Sequence, residues 1–211
     1  MRLPIAKQGY PFIAMGLLGV ALFLWLDFPV GWVIFSLVTL FVISFFRDPE
    51  RVSPPDEKAV LAPADGRVLL IEEKEMTPFS SGQAIKISVF MSVFNCHVNR
   101  IPSSGRIEQV VYRAGKFFSA NQDRASSQNE QNALLLRTPE GLEISPIQIA
   151  GLVARRIVCW VKPGSVLKRG ERFGMIRFGS RVDVYLPAST RIRIQRGDKV
   201  KAGLTIMGEL P

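Results

Sequence analysis

The chain has 211 residues, 47% of them hydrophobic, with 27 Lys and Arg against 18 Asp and Glu and a formal net charge of +9 at pH 7. A mean hydropathy of +0.19 is high for a soluble domain, yet 21% charged residues is too many for a chain held wholly in a bilayer, so an apolar part and a polar part are expected. One histidine and two cysteines without regular spacing, Cys96 and Cys159, exclude a disulfide framework, a zinc finger and any metal site built on two imidazoles.

Residues 10–26 form an uncharged run of 17 and residues 28–46 another of 19, with Asp27 between them. At the α-helical rise these reach about 26 and 29 Å, close to the hydrocarbon thickness of a bilayer. Asp27-Phe28-Pro29 suits a tight turn, because proline ends the first helix and the carboxylate seeks water. Residues 1–50 are therefore expected to be a membrane-anchoring helical hairpin. Arg2 and Lys7 before it, and Arg47 and Arg51 after it, put both ends on the cytoplasmic side of the cell membrane by the positive-inside rule. A cleaved signal peptide would carry a shorter apolar core ending in small residues, whereas a second apolar run follows here at once.

Residues 51–211 change to short β-branched segments punctuated by Gly and Pro, such as 67–71, 84–90 and 181–186, which predict a mainly β domain. The polar stretch 115–132 lacks periodicity and reads as a long loop. Residues 162–171 recur as 195–204, with Gly164 and Gly170 displaced by 33 positions onto Gly197 and Gly203. Two equivalent β units facing one another follow from such a repeat. The pattern is similar to the barrel-sandwich hybrid of biotinyl and lipoyl carriers, but no lysine lies between Lys168 and Lys199, so the carrier function is not expected.

The charge is unevenly placed. Residues 1–50 and 51–150 are each neutral overall, and residues 151–211 hold 13 basic against 4 acidic groups. A basic region of this density is expected to meet an anionic membrane surface. A nucleic-acid partner is not expected, because the charge falls on β segments without an array of stacking aromatics.

Three segments stand out in order: Ala62-Pro63-Ala64-Asp65-Gly66-Arg67-Val68, then Phe94-Asn95-Cys96-His97-Val98-Asn99-Arg100-Ile101-Pro102, then Phe178-Gly179-Ser180-Arg181-Val182-Asp183-Val184-Tyr185-Leu186-Pro187. With Phe46-Arg47-Asp48-Pro49 after an apolar hairpin, they resemble the short form of the phosphatidylserine decarboxylases over essentially the whole chain. The chain departs from long-form relatives, which carry Leu-Gly-Ser-Thr at the cleavage site and two histidines in the central motif. Here the motif holds His97 alone, with Arg100 at the second place.

The resemblance implies a proenzyme that cuts itself between Gly179 and Ser180. The products would be a β chain of residues 1–179 and an α chain of residues 180–211, associated as a heterodimer, with higher oligomers open. Ser180 would become a covalent pyruvoyl group, the cofactor for converting phosphatidylserine to phosphatidylethanolamine and CO₂ in phospholipid biosynthesis. A serine hydroxyl is a poor nucleophile until a base takes its proton. The resemblance assigns that work to a relay of Asp65, His97 and Ser180, and it implies no metal. The alternative is a non-enzymatic, membrane-anchored adaptor with a lipoyl-like β domain.

Overall fold

The computed structural model describes residues 4–77, 79, 82–120, 125–152, 156–177 and 180–211. Two compact units divide at Glu50 and Arg51.

In the first unit, the two apolar runs form helices α1 (Tyr10–Trp25) and α2 (Pro29–Phe45), each with proline in its first turn, where its missing N–H costs nothing. Asp27 turns the chain with φ +50°. The helices pack through Gly16, where a Cβ would stand 2.2 Å from Thr39 Oγ1. The Thr39 hydroxyl donates to the Phe35 carbonyl at 2.6 Å, so it is satisfied within its own helix. Both ends of the hairpin are tied together, since Ala6 N–H donates to the Phe46 carbonyl at 2.8 Å and Asp48 N–H to the Pro4 carbonyl at 2.7 Å. Leu18, Trp25, Leu37 and Leu40 are exposed, an apolar surface of the kind that lipid or a partner covers. Lys7–Trp25 is long and apolar enough to cross a membrane, and Pro29–Phe45 is a shorter apolar helix.

The second unit is mainly β, as expected. Its strands are β1 (Ala59–Leu61), β2 (Gly66–Met76), β3 (Gln83–Met91), β4 (Val98–Arg100), β5 (Gly105–Arg113), β6 (Gln131–Arg137) and β7 (Glu143–Ile149). They continue with β8 (Ile157–Cys159), β9 (Val166–Leu167), β10 (Arg172–Ile176), β11 (Ser180–Pro187), β12 (Arg191–Ile192), β13 (Lys199–Val200) and β14 (Ile206–Glu209). Eight strands form one antiparallel sheet in the order β13-β2-β3-β11-β7-β6-β5-β9, beside two three-stranded sheets, β1-β14-β12 and β4-β10-β8. One core joins all three, drawing Val60 from β1, Val89 from β3, Phe173 from β10, Val184 from β11 and Met207 from β14. The stretch 115–132 is not loop throughout: it holds a helical turn, α3 (Ala125–Gln128), a bridge from Lys116 to Asn129, and the start of β6.

The internal repeat lies at the two edges of the large sheet, in β9 and β13. Its four glycines, Gly164, Gly170, Gly197 and Gly203, all have positive φ, between +71° and +95°, a region that side chains bearing a Cβ disfavour. A Cβ on Gly203 would lie 3.5 Å from the Cα of Gly170, so the sheet curls until its two edges meet. The symmetry runs deeper than the repeat. Pro63, Gly66, Arg67 and Val68 at the start of β2 are matched 39 positions on by Pro102, Gly105, Arg106 and Ile107 at the start of β5. Val68 N–H donates to Asp198 and Ile107 N–H to Ser165, and these two acceptors are again 33 positions apart.

Candidate functional site

Ser180 opens β11, the strand flanked by β3 and β7 in the middle of the large sheet, with Met91 as its cross-strand partner. It is fully buried, and its Oγ has no hydrogen-bond partner among the described residues. A buried hydroxyl left in this state costs roughly 1–3 kcal/mol. Gly179, the residue expected before the cut, lies outside the described residues.

His97 stands just before β4, the strand beside β10. It is linked to the Ser180 region at two points: Ile176, at the end of β10, donates its N–H to the His97 carbonyl at 3.3 Å, and Met91, six residues before His97, pairs with Ser180. The imidazole is fully buried, and its Nδ1 lies 2.9 Å from the Asn95 carbonyl. A carbonyl only accepts, so Nδ1 carries the proton and the lone pair of the neutral ring falls on Nε2. Asn95 is itself fixed, its Oδ1 accepting from Ser92 N–H at 2.8 Å and Ser92 Oγ at 2.9 Å. The ring is thus set as a base by a tight turn.

Asp65 does not hydrogen-bond His97. Its carboxylate receives both terminal nitrogens of Arg51, at 2.5 and 2.8 Å, and the Ala202 N–H at 2.8 Å. The Asp65–His97 link of the expected relay is therefore not formed, because Asp65 is committed to Arg51 and to the turn that ends the second repeat copy. Arg51, read from the sequence as a flanking positive charge, is this buried partner instead, with its side chain 9% exposed. Asp65 still lies near the site. Phe90 pairs with both Arg67 and Arg181, so the starts of β2 and β11 stand two strand spacings apart, about 10 Å.

Arg181, one of the basic residues of 151–211, does not add to a surface that could meet the membrane. Its side chain is buried against Asp183, with Nε to Oδ1 at 2.5 Å, and it donates to Ser88 Oγ at 2.7 Å. Ser126 from α3 donates to the other Asp183 oxygen at 2.9 Å. Arg177, three residues before Ser180, has its pKa lowered by burial first and by the neighbouring Arg156 second. Sequence reasoning also missed three buried amides on the Ser180 side of the sheet, Asn99, Gln148 and Asn132. Gln148, a polar residue between Ile147 and Ile149 in an apolar strand, was the signal that could have found them.

A buried serine hydroxyl with no partner among the described residues, on a strand linked to a buried imidazole that can serve as a base, suits attack on the peptide bond that precedes the serine. These residues fit the making of a pyruvoyl group at position 180, since the orphaned Oγ is the atom that maturation would remove.

A family model described as phosphatidylserine decarboxylase matches residues 38–208. The phosphatidylserine decarboxylase proenzyme of Geobacter sp. (strain M21) is 51% identical, covering 99% of this chain and 97% of its own. That of Desulfotalea psychrophila is 45% identical, covering 99% and 98%. That of Aromatoleum aromaticum is 51% identical, covering 98% and 96%.

Proposed function

Since the chain belongs to the phosphatidylserine decarboxylase family and is thereby a carboxy-lyase, we propose that it converts phosphatidylserine to phosphatidylethanolamine and CO₂ with a pyruvoyl group made from its own Ser180. The observation that carries this reading is the buried Ser180 Oγ, which has no hydrogen-bond partner among the described residues. A non-enzymatic adaptor is not favoured, because the family is one of enzymes.

In maturation, Ser180 Oγ bonds to the Gly179 carbonyl carbon while its proton passes to His97 Nε2. The Gly179–Ser180 C–N bond then breaks, His97 returns the proton to nitrogen, and an ester remains. Loss of the Ser180 Cα proton and rupture of Cβ–Oγ release Gly179 as a C-terminal carboxylate. One water enters and ammonia leaves. The pyruvoyl group supplies an electron sink for the bond to the departing carboxylate. In this reading His97 then holds and delivers the proton that replaces CO₂.

The described register supports a cut without separation of the chains. β11 would begin the α chain yet is paired on both sides by strands of the β chain, β3 and β7. Arg181 and Asp183 are buried there as an ion pair, which holds the new terminus in place.

The apolar helix Lys7–Trp25 supports attachment to the cell membrane, and the flanking basic residues support a cytoplasmic catalytic domain. Lys168 and Lys201 are exposed and equivalent in the repeat. Their charge and exposure support contact with anionic headgroups, at about 1 kcal/mol per basic side chain.

The test is Ser180→Ala in the full chain. Cleavage and CO₂ release from phosphatidylserine vesicles should both vanish; CO₂ release by the alanine variant would refute the pyruvoyl reading.

A further inference from the structure

Three amide side chains form a hydrogen-bonded line through the core. Asn132 Nδ2 donates to Gln148 Oε1 at 3.2 Å, and Gln148 Nε2 donates to Asn99 Oδ1 at 2.8 Å. The line ends with Asn99 Nδ2 at 3.7 Å from Met91 Sδ. The three residues come from β6, β7 and β4 and are 3%, 0% and 0% exposed. Leucine would fill such positions without three desolvated amides. The fold instead makes room for them. At Gly174, the register partner of Asn99, a Cβ would stand 2.9 Å from Gln148 Nε2 and 2.3 Å from the Val158 carbonyl.

The line has a direction. Gln148 holds the Asn99 oxygen toward β7, which turns the Asn99 NH₂ toward Met91. A thioether is a weak acceptor, so Asn99 ends the line as an oriented, desolvated donor with an N–H to spare. Met91 is the cross-strand partner of Ser180, and Gln148 pairs with Val182, two residues further along β11. Paired residues, and residues two apart on a strand, share a face. The donor is therefore presented on the Ser180 side of the sheet.

We infer that Asn99 donates a hydrogen bond to the oxygen that gains charge when Ser180 attacks Gly179, and that Gln148 and Asn132 are positioning residues acting through it. This rests on the self-cleavage reading above. As the Oγ–C bond forms, the carbonyl π pair moves onto oxygen; the Asn99 N–H stabilises that charge without transferring its proton, and the charge returns as the C–N bond breaks. A donor fixed in advance within a water-free site is the arrangement that gives such stabilisation its value, and the chain of amides polarises it further.

Asn99→Asp tests this, because it keeps the acceptor for Gln148 Nε2 and removes the donor. Full-length chain is followed by intact mass during cell-free synthesis, with and without hydroxylamine, which cleaves an ester at Ser180, and its fold is checked by thermal melting. Cleavage should slow on the order of 100-fold with no build-up of hydroxylamine-sensitive ester, while Asn132→Leu should slow it about 10-fold. A folded Asn99→Asp chain that cleaves at the parent rate overturns the inference. So does one that accumulates the ester, since the slow step would then be elimination. Should Asn99→Asp fail to fold, Asn132→Leu decides, and cleavage at the parent rate overturns the oriented line. A parent chain that never cleaves fails the pyruvoyl reading itself.

Discussion

Asp65 and Ser104 occupy equivalent places in the two halves of the β domain: Asp65 Oδ1 accepts the Ala202 N–H at 2.8 Å, and Ser104 Oγ accepts the Arg169 N–H at 3.0 Å. Ala202 and Arg169 are themselves 33 positions apart, one in each repeat copy. A side-chain acceptor at this place is thus part of the architecture. What distinguishes Asp65 is its charge, which is matched by Arg51.

Asp65→Asn keeps an acceptor for Ala202 and leaves Arg51 buried without its counter-charge. Breaking one partner of such a pair costs about 3 kcal/mol. Thermal melting of the full chain should show that loss, and Arg51→Met added to Asp65→Asn should recover part of it. An Asp65→Asn chain of parental stability that no longer cleaves would instead point to a direct part in proton transfer.

Ser180→Ala should be stabilising or neutral, by up to about 1 kcal/mol, because it removes a buried hydroxyl that has no partner among the described residues. It should also leave the chain uncut. The comparison is made against Ser180→Cys, whose thiol keeps a nucleophile and should cleave slowly. Marked destabilisation by alanine would mean that Oγ is a structural hydrogen bonder.

Gly66→Ala and Gly197→Ala should differ sharply. At Gly66 a Cβ would stand 2.0 Å from the Phe90 carbonyl, in the row next to Ser180, whereas at Gly197 nothing lies within 4 Å and only φ +95° opposes it. The Gly197 variant should lose roughly 1 kcal/mol in unfolding experiments. The Gly66 variant should lose several times that or fail to accumulate.

Tyr185 is 9% exposed, and its pKa is pushed up to about 12 by burial first and by the Asp183 charge second, from an ordinary 10.0. Below pH 10 the phenol is protonated in both folded and unfolded chains and stability is unaffected. Between pH 10 and 12 only the unfolded chain ionises, so stability should fall, by roughly 2–3 kcal/mol in all. Absorbance at the phenolate band should show a late-titrating component that Tyr185→Phe removes; an ordinary titration of Tyr185 would contradict its burial.

The strands and the hairpin were readable because each is a local pattern. Residues 84–90 and 181–186 show β-branched alternation, and Asp27-Phe28-Pro29 interrupts an otherwise uncharged stretch. The repeat at residues 162–171 and 195–204 was readable through its glycines, whose positive φ permits few substitutes. Its companion at Pro63-Gly66-Arg67 and Pro102-Gly105-Arg106 escaped notice because so few identities carry it. The site was readable in its residues but not in its bonds. Nothing local tells that Asp65 is held by Arg51 and Ala202, the latter 137 positions away, or that Gln148 orients Asn99 across 49 positions. Side-chain partners of that separation are decided by which strands become neighbours.

Intact mass spectrometry of the matured full-length protein, denatured before injection, tests the self-processing at Ser180 most directly. Two chains are expected, of residues 1–179 and 180–211, the shorter one beginning with a pyruvoyl group and lacking the Ser180 nitrogen as ammonia. A single uncut chain of 23.5 kDa, or a shorter chain that begins with an intact serine, would contradict it.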